Sequence, residues 1–346
     1  MNQTESRKDE HVRVSLEKNV AADHNYWDDV KLIHNALPEI NKNEIDFSTK
    51  LFGKKLGAPL IIAGMTGGYE KAKEINKNLA IAAEKYQIGM GVGSQRAALE
   101  KPELKETYSI VKDYDIPLRF ANIGASQIVQ WGHKKTLENA QKMIDMIDAH
   151  VFVICLNFLQ EAVQFEGEAN AKGCFNAIKR LAEELSSPIV VKESGAGISY
   201  DVAERLLKTK ISGIDVGGAG GTSFAAIEHY RAKIKGDILH ERGSKTFWNW
   251  GIPTPTSILE VGDATDWKLP IIATGGIRNG LDVAKALALG ASCAGIAHAL
   301  LKPATEGKNI TISEVDVIIK ELRAAMFLVG ADKVSKMADI GVDLWI

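Results

Sequence analysis

The chain has 346 residues, of which 45% are hydrophobic and 25% are charged, and its formal net charge is −2. This length allows one large α/β domain or two ordinary ones, and the composition is typical of a soluble globular protein. The nearly balanced charge gives no reason to expect nucleic acid as a partner, because nucleic-acid-binding surfaces are usually strongly basic.

The first 28 residues are polar and contain no apolar segment of the kind found in signal peptides. The longest weakly charged stretch, residues 286–301, is too short to cross a bilayer. The three cysteines, Cys155, Cys174 and Cys293, have no metal-finger spacing, and we interpret them as buried thiols in a reducing compartment. The sequence therefore predicts a cytoplasmic protein with no membrane partner.

Eight short apolar runs recur along the chain, each about the length of a buried parallel strand. They span residues 59–64, 88–92, 117–122, 151–156, 188–191, 211–216, 270–273 and 293–296. The segments between them have the pattern of helices, most clearly residues 71–85, 137–150 and 281–289. Eight strand–helix units predict an α/β protein, a (β/α)8 TIM barrel in a single domain over residues 1–346.

The gap between the sixth and seventh runs is too long for one helix and two loops. It contains the aromatic cluster Phe247-Trp248-Asn249-Trp250. We therefore predict an insertion between strands 6 and 7 that lies over one rim of the barrel. Residues 1–50 precede the first run and are predicted to form an N-terminal extension.

Three functional side chains follow the fourth run: the amides of Asn157 and Gln160 and the carboxylate of Glu161. A buried strand gains no stability from ending in such residues. The carboxyl ends of parallel strands are where α/β proteins commonly hold substrates and metals. The pattern predicts a functional site at this end of the barrel.

Glycines or small polar residues follow six of the eight runs. Any one such segment alone is more often an ordinary tight turn, but together they predict backbone that approaches a flat or phosphorylated ligand. The most specific pair follows the last two runs, Gly275-Gly276-Ile277-Arg278 and Ala297-His298. Loops in these positions form the recurring phosphate site of such barrels, and Thr222 adds a hydroxyl to it.

Lys192 ends the fifth run, beside Glu193. An ammonium group at the end of an apolar strand must find a partner. Two interpretations remain open and carry equal weight: contact with the N1–C2=O edge of a flavin, or an ion pair with Glu193 or a neighbouring strand.

Six motifs are shared with one known family. They are Arg7-Lys8-Asp9-Glu10-His11, Met65-Thr66-Gly67-Gly68, Gly93-Ser94-Gln95-Arg96, Asn157-x-x-Gln160-Glu161-Ala162-Val163-Gln164, Lys192-Glu193-Ser194-Gly195-Ala196-Gly197 and Gly275-Gly276-Ile277-Arg278-Asn279-Gly280-Leu281-Asp282. In their order and spacing, the chain resembles the type 2 isopentenyl-diphosphate isomerases, the FMN-dependent form. The motif that begins at Asn157 is specific to that family, whereas the glycine motifs also suit other FMN barrels.

The resemblance implies an enzyme of isoprenoid biosynthesis that carries FMN at the carboxyl end of its barrel. Its reaction is the interconversion of isopentenyl and dimethylallyl diphosphate by a 1,3-allylic proton shift, in which reduced FMN acts as acid and base. The resemblance also implies Mg²⁺ on the diphosphate, NADPH as the reductant of FMN, and a homotetramer or larger assembly.

The resemblance further assigns roles to individual residues. The FMN-binding set is Met65, Thr66, Gly67, Ser94, Asn122, Lys192, Thr222, Gly275, Gly276, Arg278, Ala297 and His298. The substrate-binding set, to which the extension over residues 1–50 contributes, is Arg7, Lys8, Ser94, Arg96, Asn157 and Gln160. Gln160 and Glu161 are implied to be catalytic, and Glu161 is the implied Mg²⁺ ligand.

The sequence departs from the family pattern at three positions. Cys155 stands where the family usually has histidine, Phe158 where it often has proline, and His298 where arginine is common. A thiol forms weaker hydrogen bonds than imidazole, and a neutral histidine binds phosphate less strongly than arginine.

Two other classes of function remain as alternatives. One is an FMN-dependent 2-hydroxy-acid oxidase or dehydrogenase, which needs a histidine base beside the flavin, and the sixth and seventh strand ends offer none. A related oxidoreductase, the IMP-type dehydrogenase, is not retained, because it needs a nucleophilic cysteine on a flexible loop, where neither Cys155 nor Cys174 is predicted. The other class is a non-enzymatic flavin-binding barrel, which has no need of Gln160 and Glu161.

Overall fold

The structure, a computed structural model, describes residues 3–344. Eight parallel strands close into a barrel in chain order, and the last strand pairs with the first. They are β1 Leu60–Ile62, β2 Gly89–Gly91, β3 Arg119–Gly124, β4 Val151–Cys155, β5 Ile189–Lys192, β6 Gly213–Asp215, β7 Ile271–Thr274 and β8 Cys293–Ile296. The predicted (β/α)8 barrel is confirmed, and every strand lies within or overlaps one of the eight apolar runs.

Helices surround the barrel and follow its strands. The α-helices of residues 3–344 are α1 Gln3–Glu17, α2 Ala72–Tyr86, α3 Arg96–Glu100, α4 Glu106–Ser109, α5 Ala125–Trp131, α6 His133–Ile147, α7 Phe158–Val163, α8 Cys174–Glu184, α9 Tyr200–Leu206, α10 Phe224–Lys235, α11 Ile238–Thr246, α12 Thr254–Ala264, α13 Gly280–Ala288, α14 His298–Glu306 and α15 Lys308–Val329. Short 3-10 turns occur at Tyr26–Asp29, Lys42–Glu44, Pro102–Leu104, Ile110–Asp113 and Val334–Asp339.

The amino end of the barrel is closed by a small hairpin, Thr49–Leu51 paired with Lys54–Leu56. Leu51 and Leu56 are buried against inward-facing apolar side chains of the barrel strands. A second antiparallel pair, Val30–Leu32 with Val342–Leu344, joins the segment between α1 and the barrel to the carboxyl-terminal end of the described chain. Because the interior is filled with apolar side chains at the amino end, a polar site is left to the carboxyl end.

The strand register places functional side chains side by side. Cys155 of β4 is aligned with Lys192 of β5, and Lys192 is aligned with Asp215 of β6. In parallel strands, aligned residues lie at the same height and on the same face of the sheet. The register therefore brings a thiol, an ammonium group and a carboxylate together at the carboxyl end.

The predicted insertion between strands 6 and 7 is confirmed, because α11 lies between α10 and α12. The Ser244 hydroxyl of α11 donates to the Val163 carbonyl at 3.2 Å. The indole N–H of Trp248 donates to the Ala21 carbonyl at 2.9 Å. The insertion therefore holds both the end of α7 and the chain that follows α1.

The three cysteines are free thiols, and burial raises the pKa of Cys155 and Cys174 to about 11.

Between residues 3 and 344, we find no helix with the length and apolar character needed to cross a membrane.

Candidate active site at the carboxyl end of the barrel

A cavity of about 530 Å³ opens at the carboxyl end of the barrel. Its volume falls within the range of about 300–1,000 Å³ that is usual for small-molecule sites. Eight of the predicted FMN-binding residues line it: Met65, Lys192, Thr222, Gly275, Gly276, Arg278, Ala297 and His298. The structure thus brings together most of the set that lies far apart in the sequence.

Two glycine loops pack backbone against backbone on one side of this cavity. A Cβ atom on Gly221 would collide with the backbone nitrogen of Gly276. Gly275 and Gly276 have φ angles of 118° and 73°, which side chains other than that of glycine rarely adopt. The loops can therefore present backbone to a ligand at close range, as a phosphate group requires.

Arg278 lies on the same side of the cavity as the glycine loops, and two carboxylates bind its guanidinium group. Its guanidinium group donates to Asp28 Oδ1 at 2.7 Å and to Asp282 Oδ2 at 2.9 Å. His298 contacts the cavity from the last loop, and its Nε2 atom is 3.1 Å from the Ser15 carbonyl oxygen. These contacts connect the predicted phosphate site with α1 and with the segment that follows it.

Lys192 forms the inter-strand ion pair that was one of its two interpretations. Its Nζ atom is 3.4 Å from Asp215 Oδ2 and donates to the Glu193 carbonyl at 2.7 Å. Burial raises the pKa of the Asp215 carboxyl, which the Lys192 ammonium group partly opposes. Lys192 also lines the cavity, so the flavin interpretation is compatible with the ion pair.

Asn122 lies beneath this cavity, in a smaller one that Lys192 and Asp215 also line. Its side-chain oxygen is buried and accepts no hydrogen bond from the described residues. A buried acceptor without a partner is rare and indicates a missing donor. This orphan oxygen, the glycine loops and the volume together fit a planar, phosphorylated cofactor such as FMN.

Three predicted FMN ligands, Thr66, Gly67 and Ser94, do not line the large cavity. The Ser94 carbonyl accepts from Lys8 at 2.6 Å and from the Tyr108 hydroxyl at 2.7 Å. A Cβ atom on Gly67 would meet the Tyr108 ring. These residues therefore lie around Tyr108, under the amino-terminal half of α1.

Lys8 and Arg7 reach this region from α1. The Lys8 ammonium group also donates to the Tyr108 hydroxyl at 2.9 Å. Burial, together with the charge of Arg7, lowers the pKa of Lys8 to about 7. Arg7 has no ion pair with any residue between 3 and 344, so its charge is available to an anion. Arg96, in contrast, is bound by Glu100 at 2.7 Å and Glu168 at 2.8 Å.

The residues after β4 form one hydrogen-bonded group around Glu161. Asn157 Nδ2 donates to Glu161 Oε1 at 3.0 Å, and it lies 3.4 Å from Gln160 Oε1. Glu161 Oε2 accepts from Gln164 Nε2 at 2.6 Å and from the Glu168 N–H at 2.8 Å. Glu161 is only 7% exposed, so amide donors hold its charge in a fixed position.

Residues 3–344 contain no group of three His, Cys, Asp or Glu side chains that could hold a metal. Glu161 alone is therefore a poor site for a metal that needs a complete protein cage. It suits Mg²⁺, which commonly takes one or two carboxylates and completes its shell with substrate phosphate and water.

Sequence reasoning missed a buried group that joins α1 to α10. His11 Nε2 is 2.8 Å from Glu228 Oε1, and Arg231 binds Glu228 Oε2 at 2.6 Å. His11 belonged to a recognised motif, whereas nothing in the helical pattern of α10 distinguished Glu228 and Arg231 from surface residues. His11 also lines the cavity.

The model of the FMN-dependent dehydrogenase family matches residues 13–104 and 155–342. An isopentenyl-diphosphate delta-isomerase of Thermoplasma volcanium is 46% identical over 334 residues, which cover 96% of this chain and 94% of that protein. An enzyme of the same name from Methanosarcina mazei is 45% identical, with 97% and 91% covered.

Solved structures of mandelate oxidase share the fold. The complex with (S)-2-phenylpropionate has a TM-score of 0.66 at 17% identity, and the similarity covers 93% of this chain and 89% of that one. The mutant with a monooxide FMN adduct has a TM-score of 0.64 at 17% identity, with 93% and 90% covered. At these identities the likeness concerns architecture, which many unrelated activities share.

Proposed function

The chain belongs to the isopentenyl-diphosphate delta-isomerase family within the FMN-dependent barrels, and we propose that it interconverts isopentenyl and dimethylallyl diphosphate. One observation carries the proposal: the identity of 46% extends over 334 residues, which are 96% of the chain. The reaction moves a proton and no net electrons. Bound in its reduced state, FMN would supply the acid and the base for that proton shift.

Membership in this family makes FMN the cofactor, and we assign its phosphate to the loops after β6, β7 and β8. The residues there are Thr222, Gly275, Gly276, Arg278, Ala297 and His298. The ring would be held by Met65, Asn122 and Lys192, which line the two cavities. Thr66, Gly67 and Ser94, which lie outside the large cavity, would border the ring from the adjoining loops. Lys192 adds positive charge beside the flavin, and Asn122 contributes its free acceptor.

We assign the diphosphate to the cationic side chains near α1, namely Arg7, Lys8 and Arg96, with Ser94 and Asn157 as polar contacts. Arginine binds phosphate oxygens in pairs, and lysine supplies a compact charge. Glu161 would bind Mg²⁺ on the same diphosphate. Gln160 would orient the reacting carbons, and its neutral amide avoids quenching positive charge that develops on the substrate.

Three further features belong to the proposal. NADPH would reduce FMN before isomerisation begins. The single domain, residues 1–346, would take two of its three substrate-binding cations, Arg7 and Lys8, from the extension over residues 1–50. The chain would assemble as a homotetramer or larger.

The pKa of Lys8 predicts how substrate binding depends on pH. Above about pH 7, Lys8 is largely neutral in the free protein. A bound diphosphate would raise that pKa, so binding would take up as much as one proton, and affinity would fall by up to about tenfold per pH unit above 7. We expect calorimetric titrations between about pH 7.5 and 9, in buffers of different ionisation enthalpy, to detect this proton.

The matched control is Lys8→Met, which cannot take up the proton. Tyr108, the neighbour of Lys8, does not titrate in this window, because burial raises its pKa well above the usual value. If Lys8→Met bound as many protons on substrate binding as the unaltered protein, another group would be responsible and the placement of the diphosphate would be wrong.

The hydroxy-acid oxidase is the second candidate function, and one paired assay separates it from the isomerase. We expect the anaerobic, FMN-reduced protein to form dimethylallyl diphosphate from isopentenyl diphosphate in the presence of Mg²⁺. We expect the oxidised protein to keep its visible flavin absorbance when mandelate or lactate is added. Bleaching by a hydroxy acid, without isomerase product, would support the oxidase.

A further inference from the structure

Arg231 is the most deeply buried arginine or lysine of residues 3–344, with a side chain that is 1% exposed. It lies on α10, and its guanidinium group reaches three carboxylates. The distances are 2.6 Å to Glu228 Oε2, 2.5 Å to Glu166 Oε1 and 2.9 Å to Glu10 Oε2. These four side chains are named the Arg231 cluster below.

The three carboxylates come from separate parts of the chain. Glu10 lies on α1, Glu166 on the loop after α7, and Glu228 on α10 itself. The ring of Phe165, next to Glu166, also stacks on Arg231, with 4.8 Å between its centroid and Cζ. A planar guanidinium group has five N–H donors and can bind three carboxylates at once. The ammonium group of lysine has three donors and no fixed planar geometry, so it is less suited to this arrangement.

Each branch of the Arg231 cluster ends at a group with a proposed role. Glu10 is two residues from Lys8 on the same helix, so its ion pair fixes the part of α1 that carries Arg7 and Lys8. On the other branch, the Glu168 N–H donates to Glu161 Oε2 at 2.8 Å, two residues after Glu166. A Cβ atom on Gly167 would collide with the Glu161 carbonyl, so this loop is packed directly on Glu161.

No other cation of the described chain duplicates these contacts. Lys235 is the nearest candidate, but its Nζ atom pairs only with Glu10, at 3.7 Å, and its side chain is 40% exposed. An exposed pair at this distance is screened by water and contributes little. His11 also contacts Glu228, at 2.8 Å, but burial lowers the pKa of its imidazole and so disfavours the cationic form. Loss of Arg231 would therefore leave Glu166 without a close cationic partner and Glu228 with this histidine alone.

We propose that Arg231 is a positioning residue that holds the diphosphate-binding segment of α1 and the metal-binding carboxylate Glu161 in register with each other. Arg231 itself contacts neither the substrate nor FMN. The inference rests on the proposed isomerase function, because the roles of Lys8 and Glu161 are those assigned above. Its structural part, that one side chain orders both α1 and the loop over residues 164–168, stands independently of the reaction.

Four variants of the FMN-loaded protein separate the two branches. Arg231→Met removes both, and Arg231→Lys keeps the charge without the planar fork. Glu10→Gln releases α1 alone, and Glu166→Gln releases the loop alone. The last two leave no buried charge without a partner at the altered position, so they test the proposal even if Arg231→Met fails to fold. Arg119→Met is the matched control, since Arg119 is a half-buried arginine at the amino end of β3 that donates only to backbone carbonyls.

Two quantities are measured: backbone hydrogen exchange, and substrate binding to the protein with oxidised FMN, which is expected not to turn the substrate over. In Arg231→Met, we expect amides of residues 3–17 and 164–168 to exchange at least about tenfold faster and isopentenyl diphosphate to bind at least about tenfold more weakly. Arg231→Lys should recover part of both losses, and the flavin-to-protein ratio should not change. In Glu10→Gln, only the exchange of α1 amides and the affinity for isopentenyl diphosphate should change. In Glu166→Gln, only the exchange of amides in residues 164–168 and the Mg²⁺ concentration required for substrate binding should change.

Unchanged exchange of both segments in folded Arg231→Met would overturn the proposal, as would equal losses in Arg119→Met. If the unaltered protein did not bind isopentenyl diphosphate at all, the proposed function would fail. The exchange measurements would still decide whether Arg231 orders the two segments.

Discussion

Replacing Glu161 by glutamine is expected to lower kcat by about 10²- to 10⁴-fold while FMN stays bound. A metal ion that stabilises developing charge contributes several kcal/mol, and each 1.36 kcal/mol corresponds to about a factor of ten in rate. Glutamine keeps the size of the side chain but cannot neutralise Mg²⁺. In the unaltered protein, Asn157 Nδ2 and Gln164 Nε2 both donate to the Glu161 carboxylate. The glutamine amide has only one oxygen, so its N–H₂ group would face one of these two donors.

Steady-state kcat measured against Mg²⁺ concentration, with the flavin-to-protein ratio from absorbance, tests this expectation. Glu184→Gln is a suitable control, because Glu184 is a half-exposed carboxylate at the end of α8 that is paired with His133. Loss of FMN from Glu161→Gln, with Mg²⁺ dependence intact, would mean that the metal site has been placed on the wrong residue.

Replacing Lys192 by methionine is expected to lower both kcat and the midpoint potential of the flavin. Reduction adds negative charge to the flavin, and Lys192 supplies positive charge on the wall of the cavity. Loss of one charge-assisted hydrogen bond costs about 1.5–3 kcal/mol, which corresponds to about 30–60 mV for a two-electron couple. The same energy predicts a kcat about 10- to 100-fold lower.

The variant also leaves Asp215 buried without its cationic partner, which costs about 3–5 kcal/mol of stability. Asp215 is 6% exposed, and its pKa, already raised by burial, would rise further without the Lys192 ammonium group. The double variant Lys192→Met with Asp215→Asn separates the two effects, because it removes both charges. We expect it to regain thermal stability but not the potential or kcat. Full recovery of all three would show that Lys192 serves only to neutralise Asp215.

The barrel could be predicted from the sequence because each strand is a short apolar run between helices with clear periodicity. β8 was predicted to the residue. β3 continues through Gly124, two residues beyond its run, because its backbone still pairs with β4 at Gly124 and Cys155. Pairing of this kind depends on the neighbouring strand, and nothing in the local sequence indicates it.

Both boundaries of α6 also departed from their prediction. The helix spans His133–Ile147, whereas the apolar pattern predicted residues 137–150. Gly132, with a φ of 69°, turns the chain sharply and allows the helix to begin at once. The first turn is polar, so it carries no hydrophobic periodicity by which the sequence could have revealed it.

The candidate site was predicted where its residues follow strands and missed where they meet across the fold. Lys192 ends β5, Gly275 follows β7 directly, and Glu161 lies on α7, just after β4, and parallel topology brings these strand ends to one face of the barrel. The contact of Lys8 with Tyr108 spans 100 residues. Arg231 meets Glu10 across 221 residues, and no spacing within α10 distinguishes its buried charge from a solvated one.

The most direct test of the isomerase is proton NMR of an anaerobic reaction in D₂O with the purified protein, FMN, Mg²⁺ and isopentenyl diphosphate. We predict dimethylallyl diphosphate with deuterium at allylic positions when the flavin is reduced, and no product when it is oxidised. That result would establish a proton shift that needs reduced FMN without consuming its electrons. Absence of both product and deuterium exchange, with reduced FMN demonstrably bound, would contradict the proposed function.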